Sequence, residues 1–273
     1  MSLIPLLFLL KLMALGTVTC FLTPGSDVGT LIFMPRAARI VIPNVPHHVT
    51  QRGNNREDVF FVDDDRRTYL GILAEEAAAA NVAILGFCLM SNHIHLIATP
   101  HRANALARAI GRVHFRYTQY INHRHNRSGH LWQNRFFSCP LGQHHFLRAM
   151  RYVERNPVRA SIATLAWKYT WSSAAVHVGQ ATLESFPSDL ISATGFKPSP
   201  EAWKVFLRQA DDSRDIKALR RATQTGRPLA GDSTMSKFEK LVGRRLRALP
   251  PGRPRKDTTL TRHPSALAAT ARE

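Results

Sequence analysis

Cysteine is nearly missing from this 273-residue chain: Cys20, Cys88 and Cys139 form no CxxC pair and no even framework. That argues against a disulfide scaffold and a cysteine-rich zinc site, and it suits a reducing compartment such as the cytoplasm. Carboxylates are also scarce, with 19 Asp and Glu against 37 Lys and Arg, a formal charge of +18. A surplus that large favours a polyanionic partner, because each phosphate contact releases counterions. Nucleic acid is the first candidate and an acidic membrane surface the second. Long apolar runs are confined to LIPLLFLLKLMALGTVTCFL at 3–22. Lys11 interrupts that run, no basic residue precedes it and no small-x-small cleavage site follows, so it makes a poor leader or membrane span. Met34 opens MPRAARIVIPNVPHHVTQRGNNR, which reads as the start of a globular basic domain. Residues 1–33 are therefore expected to be an apolar extension from a misassigned start, and no stable membrane association is expected apart from them.

The remainder is patterned. VPHHVTQRG (45–53) alternates and stops at glycine, as a strand does. DDDRRTYLGILAEEAAAAN (63–81) opens on acids and closes on Asn, as a helix does. VAILGFCLM (82–90) and HIHLIATP (93–100) read as strands around a Ser91-Asn92 turn. Residues 103–126 follow as a long helix, 127–141 as a turn and strand, and 142–160 as a helix broken near Asn156-Pro157. The order β-α-β-β-α-β-α predicts an α+β fold: a ferredoxin-like (split βαβ) antiparallel sheet with helices on one face. A catalytic domain is expected over 34–180, a small helical C-terminal segment over 181–250, and a basic, disordered tail over 251–273.

In MSNHIHLIATP, His93 and His95 lie two apart on a strand and share one face, roughly 6.6 Å apart. Two neutral imidazoles so placed can hold one divalent ion, although hydrogen-bonded strand histidines would look the same. The helix from 142 offers more. At about 100° per residue, Phe146, Met150, Val153 and Pro157 form its core stripe, while His145, Arg148, Tyr152 and Asn156 fall opposite, with Arg155 and Arg159 beside them. Tyr152 thus stands on the polar face, one turn from Asn156. A phenol is a weak nucleophile at neutral pH, since it ionises near pH 10. Arginines or a metal-polarised phosphate would activate it, and Asn156 offers an amide oxygen to Mg²⁺ or Mn²⁺. Arg148, Arg155 and Arg159 are placed to hold flanking phosphates. Tyr117 reads as core and Tyr120 as its flank.

Four stretches, PHHVTQRGNNRE, MSNHIHLIATP, GHLWQNRFFS and RYVERNPVRA, occur in that order over roughly 40–180. In these motifs the chain resembles the REP-associated tyrosine transposases, single-tyrosine HUH (His-hydrophobic-His) enzymes of the insertion sequence 200-like family. The resemblance implies a metal-dependent transposase that nicks and rejoins single-stranded DNA hairpins through a covalent 5′-phosphotyrosine. It places the nucleophile at Tyr152 and the metal ligands at His93, His95 and Asn156. A homodimer and a nucleoid location accord with it, and no small-molecule cofactor is expected. A DNA-hairpin-binding regulator without catalysis is the alternative reading.

DNA contacts are expected from Arg52, Asn54 and Asn55 in the QRGNNR loop, and from Arg112, Arg116 and Arg135 in the acid-free stretch 101–135. Trp132, Phe136 and His130 would stack bases or, for the two larger rings, fill the core. GRPRK at 252–256 has the composition of a minor-groove hook or of a solubilising tail.

Overall fold

The acids that open the first helix also fix its start. Asp65 turns its carboxylate back to accept the amides of Phe61 (2.8 Å) and Val62 (3.1 Å), and Asn81 ends the helix in the left-handed region at φ 57°. The structure, a computed structural model, describes residues 38–180, 187, 190, 191 and 196–248. The apolar extension 1–33, the tail 251–273 with its GRPRK motif, and parts of 181–195 lie outside the described residues.

Four strands, β1 (His47–Arg52), β2 (Val82–Leu89), β3 (His93–Pro100) and β4 (Phe137–Pro140), form one antiparallel sheet in the order β2-β3-β1-β4. With α1 (Asp63–Ala80) and α2 (Ala105–Arg124) as crossovers, this is the predicted split βαβ arrangement. Pairing of Thr50 with His95 and of Arg52 with His93 sets the register between β1 and β3.

Side-chain alternation then sorts the sheet into two faces. Val49, Phe87, Leu89, Ile94, Leu96 and Ala98 pack against α1 and α2 in the main core. Trp132 and Phe136 are buried there too, Trp132 stacked on His114 at 4.4 Å, so the core reading of these rings is the observed one. The opposite face carries His48, His93 and His95 and is not left bare. Its apolar cluster joins Cys88, Ile97 and Cys139 to Met150 and Val153 of α3 (Gln143–Glu154) and to Leu219 and Ala222 further on.

α3 approaches closely because of Gly86, where the β2–β3 register shifts: a Cβ there would lie 2.4 Å from the Met150 sulfur. The helix breaks where Pro157 predicts, and α4 (Asn156–Arg159) continues it. After α5 (Ala174–His177) come α6 (Pro200–Arg208), α7 (Ser213–Thr225) and α8 (Asp232–Val242). Among the described residues no helix is long and apolar enough to cross a membrane.

The C-terminal helices are anchored by buried polar groups. Glu154 is fully buried and accepts from Ser173 (2.6 Å), His177 (2.5 Å) and the Trp203 indole (2.8 Å). Arg151, Arg155 and Arg159 converge on Asp211 at 3.7, 3.1 and 3.5 Å. These contacts bind α3 and α4 to the segment leading into α7.

Candidate functional site

Period-two alternation puts His93 and His95 on the face that α3 crosses, with ring centroids 5.1 Å apart. From α3, Tyr152 turns its ring edge-on to them, 5.5 Å from His95 and 5.8 Å from His48. Asn156 lines the same cavity of about 740 Å³. The two metal-ligand histidines, the tyrosine and the asparagine expected from the sequence are therefore brought together.

Tyr152 is not, however, on a solvated face. It is 7% exposed and Asn156 is 8% exposed. The helical wheel assigned that side to water because it contains α3 alone, and α7 covers it. Arg220 of α7 donates Nε–H to Tyr152 Oη at 3.3 Å, and the Arg159 guanidinium lies 4.1 Å above the phenol ring.

One arrangement of protons satisfies the contacts of all three imidazoles. With Thr223 donating its hydroxyl to the Leu219 carbonyl (2.8 Å), its oxygen accepts from His48 Nδ1 (2.8 Å). His48 Nε2 is then an acceptor, and His95 Nδ1–H donates to it at 2.9 Å. Next to the strand turn, Asn92 donates its amide to the Arg56 carbonyl (3.0 Å), which turns its oxygen toward His93 Nδ1–H at 2.6 Å. Both His93 and His95 therefore keep the Nε2 lone pair free, as a metal ligand requires.

Charge agrees with this assignment. Burial, with Arg52 adding to it, pushes the His93 pKa down to about 4. Burial and the neighbouring His48 hold His95 well below the ordinary imidazole range, and burial with Arg159 pushes His48 to about 3. All three rings are neutral at neutral pH, the ligating form. Among the described residues no cluster of three His, Cys, Asp or Glu forms, so a third ligand must be an amide, a phosphate or water. Asn156 suits this role, because its Nδ2 is spent on the Tyr152 and Val153 carbonyls (3.3 Å each) and only its oxygen remains. Two neutral imidazoles and an amide oxygen are a donor set that a divalent ion can accept.

The expected DNA contacts divide. Arg52 and Arg159 line the cavity. Asn54 and Asn55 are exposed in a single turn beside it, but Gly53 serves the backbone there: a Cβ would meet the Glu57 carbonyl at 2.2 Å. Arg155 is bound to Asp211, and Arg148 to Asp215 at 2.7 Å in a separate recess. Arg112 and Arg116 are not brought to the site. They lie on α2, where Arg116 pairs with Glu75 (2.7 Å) and Glu76 (2.9 Å) and Arg112 faces Glu76 at 3.9 Å. The acid-free stretch looked like an electrostatic track because its counter-charges sit on α1, 40 residues earlier. Arg135 is exposed and lines a different groove.

His48, Arg220 and Thr223 were missed. His48 shares strand phase with Thr50 and Arg52, so alternation places it on the histidine face once the register is known. Arg220 and Thr223 have no local signal beyond their i, i+3 spacing on a helix.

Residues 42–156 match the family model described as Transposase IS200 like, so the family resemblance read from the motifs holds over that segment. Among curated proteins none matches the chain. A solved structure of a REP-associated tyrosine transposase bound to a REP hairpin is 14% identical, with 60% of this chain and 98% of that chain covered at a TM-score of 0.47. A second, described as a transposase from Deinococcus radiodurans R1, is 17% identical, with 44% of this chain and 95% of that chain covered at a TM-score of 0.31.

Proposed function

From the IS200-like transposase match over 42–156, we propose that this protein is a DNA strand transferase that cuts and rejoins single-stranded DNA hairpins through Tyr152. The observation that carries this reading is the position of the Tyr152 ring 5.5 Å from His95, beside Arg159 and Arg220, in a cavity of about 740 Å³. The net charge of +18 suits a phosphodiester substrate.

His93 and His95 would hold a divalent ion through Nε2, with the Asn156 oxygen as third ligand. When bound, that ion polarises the scissile phosphate and steadies its added negative charge. Tyr152 Oη attacks phosphorus, forming a phosphotyrosine ester as the bond from phosphorus to the 3′ oxygen breaks. The phenol proton ends on the departing 3′ hydroxyl. Arg220 and Arg159 favour the charge that builds on Oη while that proton leaves. Rejoining reverses the exchange: a 3′ hydroxyl attacks the phosphotyrosine and the phenol is restored. The catalytic unit in this reading extends beyond 34–180 to include α7.

The test uses hairpin oligonucleotides with single-stranded flanks and Mn²⁺ or Mg²⁺. The protein should form a DNA adduct that survives SDS, chelation should abolish it, and Tyr152→Phe should abolish it while hairpin binding stays within about twofold. Hairpin binding that needs no metal and never yields an adduct, in wild type as in variant, would instead favour the non-catalytic regulator.

A further inference from the structure

The GHLWQNRFFS stretch supplies neither a metal ligand nor a nucleophile, and it walls two spaces at once. Gln133 and Phe137 line the Tyr152 cavity. Trp132 and Phe136 belong to the core on the other side of the sheet, where they and α2 border a recess of about 520 Å³. Among the described residues the two spaces share no lining residue. The recess falls in the size range of small-molecule sites, roughly 300–1,000 Å³, and has their usual make-up of apolar walls with a few polar groups.

Three features of the recess are not required by packing. Phe115 of α2 lines it with 53% of its surface exposed. Gly111, one turn earlier, weakens the helix without a steric reason, since a Cβ there would meet nothing within 4 Å. Two N–H groups of its walls lack acceptors among the described residues. The first is Trp132 Nε1–H, in a side chain 9% exposed. The second is His114 Nδ1–H. Burial pushes the His114 pKa down to about 3, so the ring is neutral, and its Nε2 accepts from the hydroxyl of the fully buried Tyr69 (3.3 Å). The proton of the imidazole is then on Nδ1. The two rings stack 4.4 Å apart, which brings both donors within reach of one ligand. Charge is one-sided as well: Arg39 and Arg135 line the recess and no Asp or Glu does. Burial, with Arg135 adding to it, holds the Arg39 guanidinium below the ordinary arginine range, and an anion would relieve that repulsion.

We propose that the recess binds a free guanine mononucleotide, with the base against Phe115 and over Gly111, its N7 and O6 edge toward His114 and Trp132, and its phosphate on Arg135 and Arg39. Guanine presents two adjacent acceptors on that edge, as two donors require, whereas adenine sets a donor beside its one acceptor. A base of a bound hairpin is a poorer occupant, because its backbone would have to round the β4 edge from the cavity on the opposite face. The site stands apart from the Tyr152 chemistry and holds whether or not the strand-transferase reading does.

The test titrates the full-length protein with guanosine monophosphate (GMP) and with its adenine counterpart (AMP) by calorimetry, in EDTA so that no divalent ion carries the nucleotide. Wild type should bind GMP about tenfold or more tightly than AMP, and 7-deaza-GMP, which lacks the N7 acceptor, should bind about tenfold more weakly than GMP. Phe115→Ala, at an exposed position, should weaken GMP about 5- to 150-fold, the cost of a lost stacking partner. Gly111→Leu should weaken it too while raising the urea midpoint, since leucine is the better helix former. Tyr152→Phe should leave GMP affinity unchanged. Failure of wild type to bind GMP at millimolar concentration would overturn the proposal. So would equal binding of AMP, or an affinity lost in Tyr152→Phe and kept in Phe115→Ala. Hairpin DNA that loses as much affinity as GMP in Phe115→Ala would also overturn it, because the recess would then belong to the DNA site. A Tyr152 adduct in wild type without GMP binding removes the recess and leaves the transferase reading. GMP binding without any adduct does the reverse.

Discussion

Thr223→Val tests the tautomer relay directly. Valine keeps the shape of threonine and removes the oxygen that accepts from His48 Nδ1 at 2.8 Å, in a position 2% exposed. A buried N–H left without a partner costs about 1–3 kcal/mol. His48 can avoid that cost by moving its proton to Nε2. It then donates to His95 Nδ1, and the His95 proton must move to Nε2, the atom that holds the ion in the proposed reading. Binding an ion must undo this shift, so the same energy reappears as a loss of affinity. At 1.4 kcal/mol per decade the loss is about 5- to 150-fold, which overlaps the usual effect of disturbing a ligand's hydrogen-bond partner. Long-range ¹⁵N–¹H spectra of the metal-free protein would report the tautomers, and Mn²⁺ titration without DNA would report affinity. Thr223→Ser restores the hydroxyl and should restore both. If the valine variant keeps its proton on His95 Nδ1 and binds Mn²⁺ within twofold of wild type, the relay does not exist.

Arg220→Gln should slow adduct formation about tenfold with hairpin binding nearly unchanged, less than the roughly 100- to 1,000-fold that a buried charge-stabilising donor costs because Arg220 is exposed; an unchanged single-turnover rate would remove it from the chemistry. Glu154→Gln sets an amide N–H against one of three donors in the buried clamp, and a loss of about 3–5 kcal/mol is expected from urea unfolding, whereas a loss below about 1 kcal/mol would show the clamp to be incidental. Acid should destabilise the fold through His47 and His114, whose pKa values burial pushes down to about 4 and about 3. Both are neutral when folded and take a proton when unfolded below the ordinary value of about 6.5, so their contribution is complete above that pH and falls by about 2 kcal/mol each by pH 5. A urea midpoint that stays level or rises between pH 7 and pH 5 would contradict this.

What the sequence disclosed is what short range controls. Strand alternation put His93 and His95 on one face, and Pro157 broke the helix where it should. The sheet order followed from the succession of elements, since a split βαβ unit leaves few other ways to pair the strands. Partners far along the chain were not legible. The wheel for α3 assigned Tyr152 to water because nothing within one helix announces that α7, some 60 residues on, will lie over it. Arg112 and Arg116 looked uncompensated for the same reason, their acids being on another helix. His48 is the intermediate case. Its strand phase was readable, but its bond to His95 depends on the β1–β3 register, and its bond to Thr223 spans 175 residues.

The family match ends at residue 156, yet the proton relay and the phenol's hydrogen bond come from α7. Arg220 and Thr223 are three residues apart and lie on one face of that helix, so a single rigid element contacts both His48 and Tyr152 Oη. In the proposed reading, any shift of α7 disturbs the metal site and the nucleophile together. The arginines that hold the segment before α7 have a second consequence. Arg151, Arg155 and Arg159 bring three positive charges to Asp211, which supplies one negative charge. Asp211 can therefore orient this cluster but cannot neutralise it. The remaining charge lies beside the tyrosine, where Arg159 touches both the cluster and the ring, and a phosphate entering the cavity would meet it. In this way the contacts that fasten the C-terminal helices to α3 also leave a positive field in the cavity.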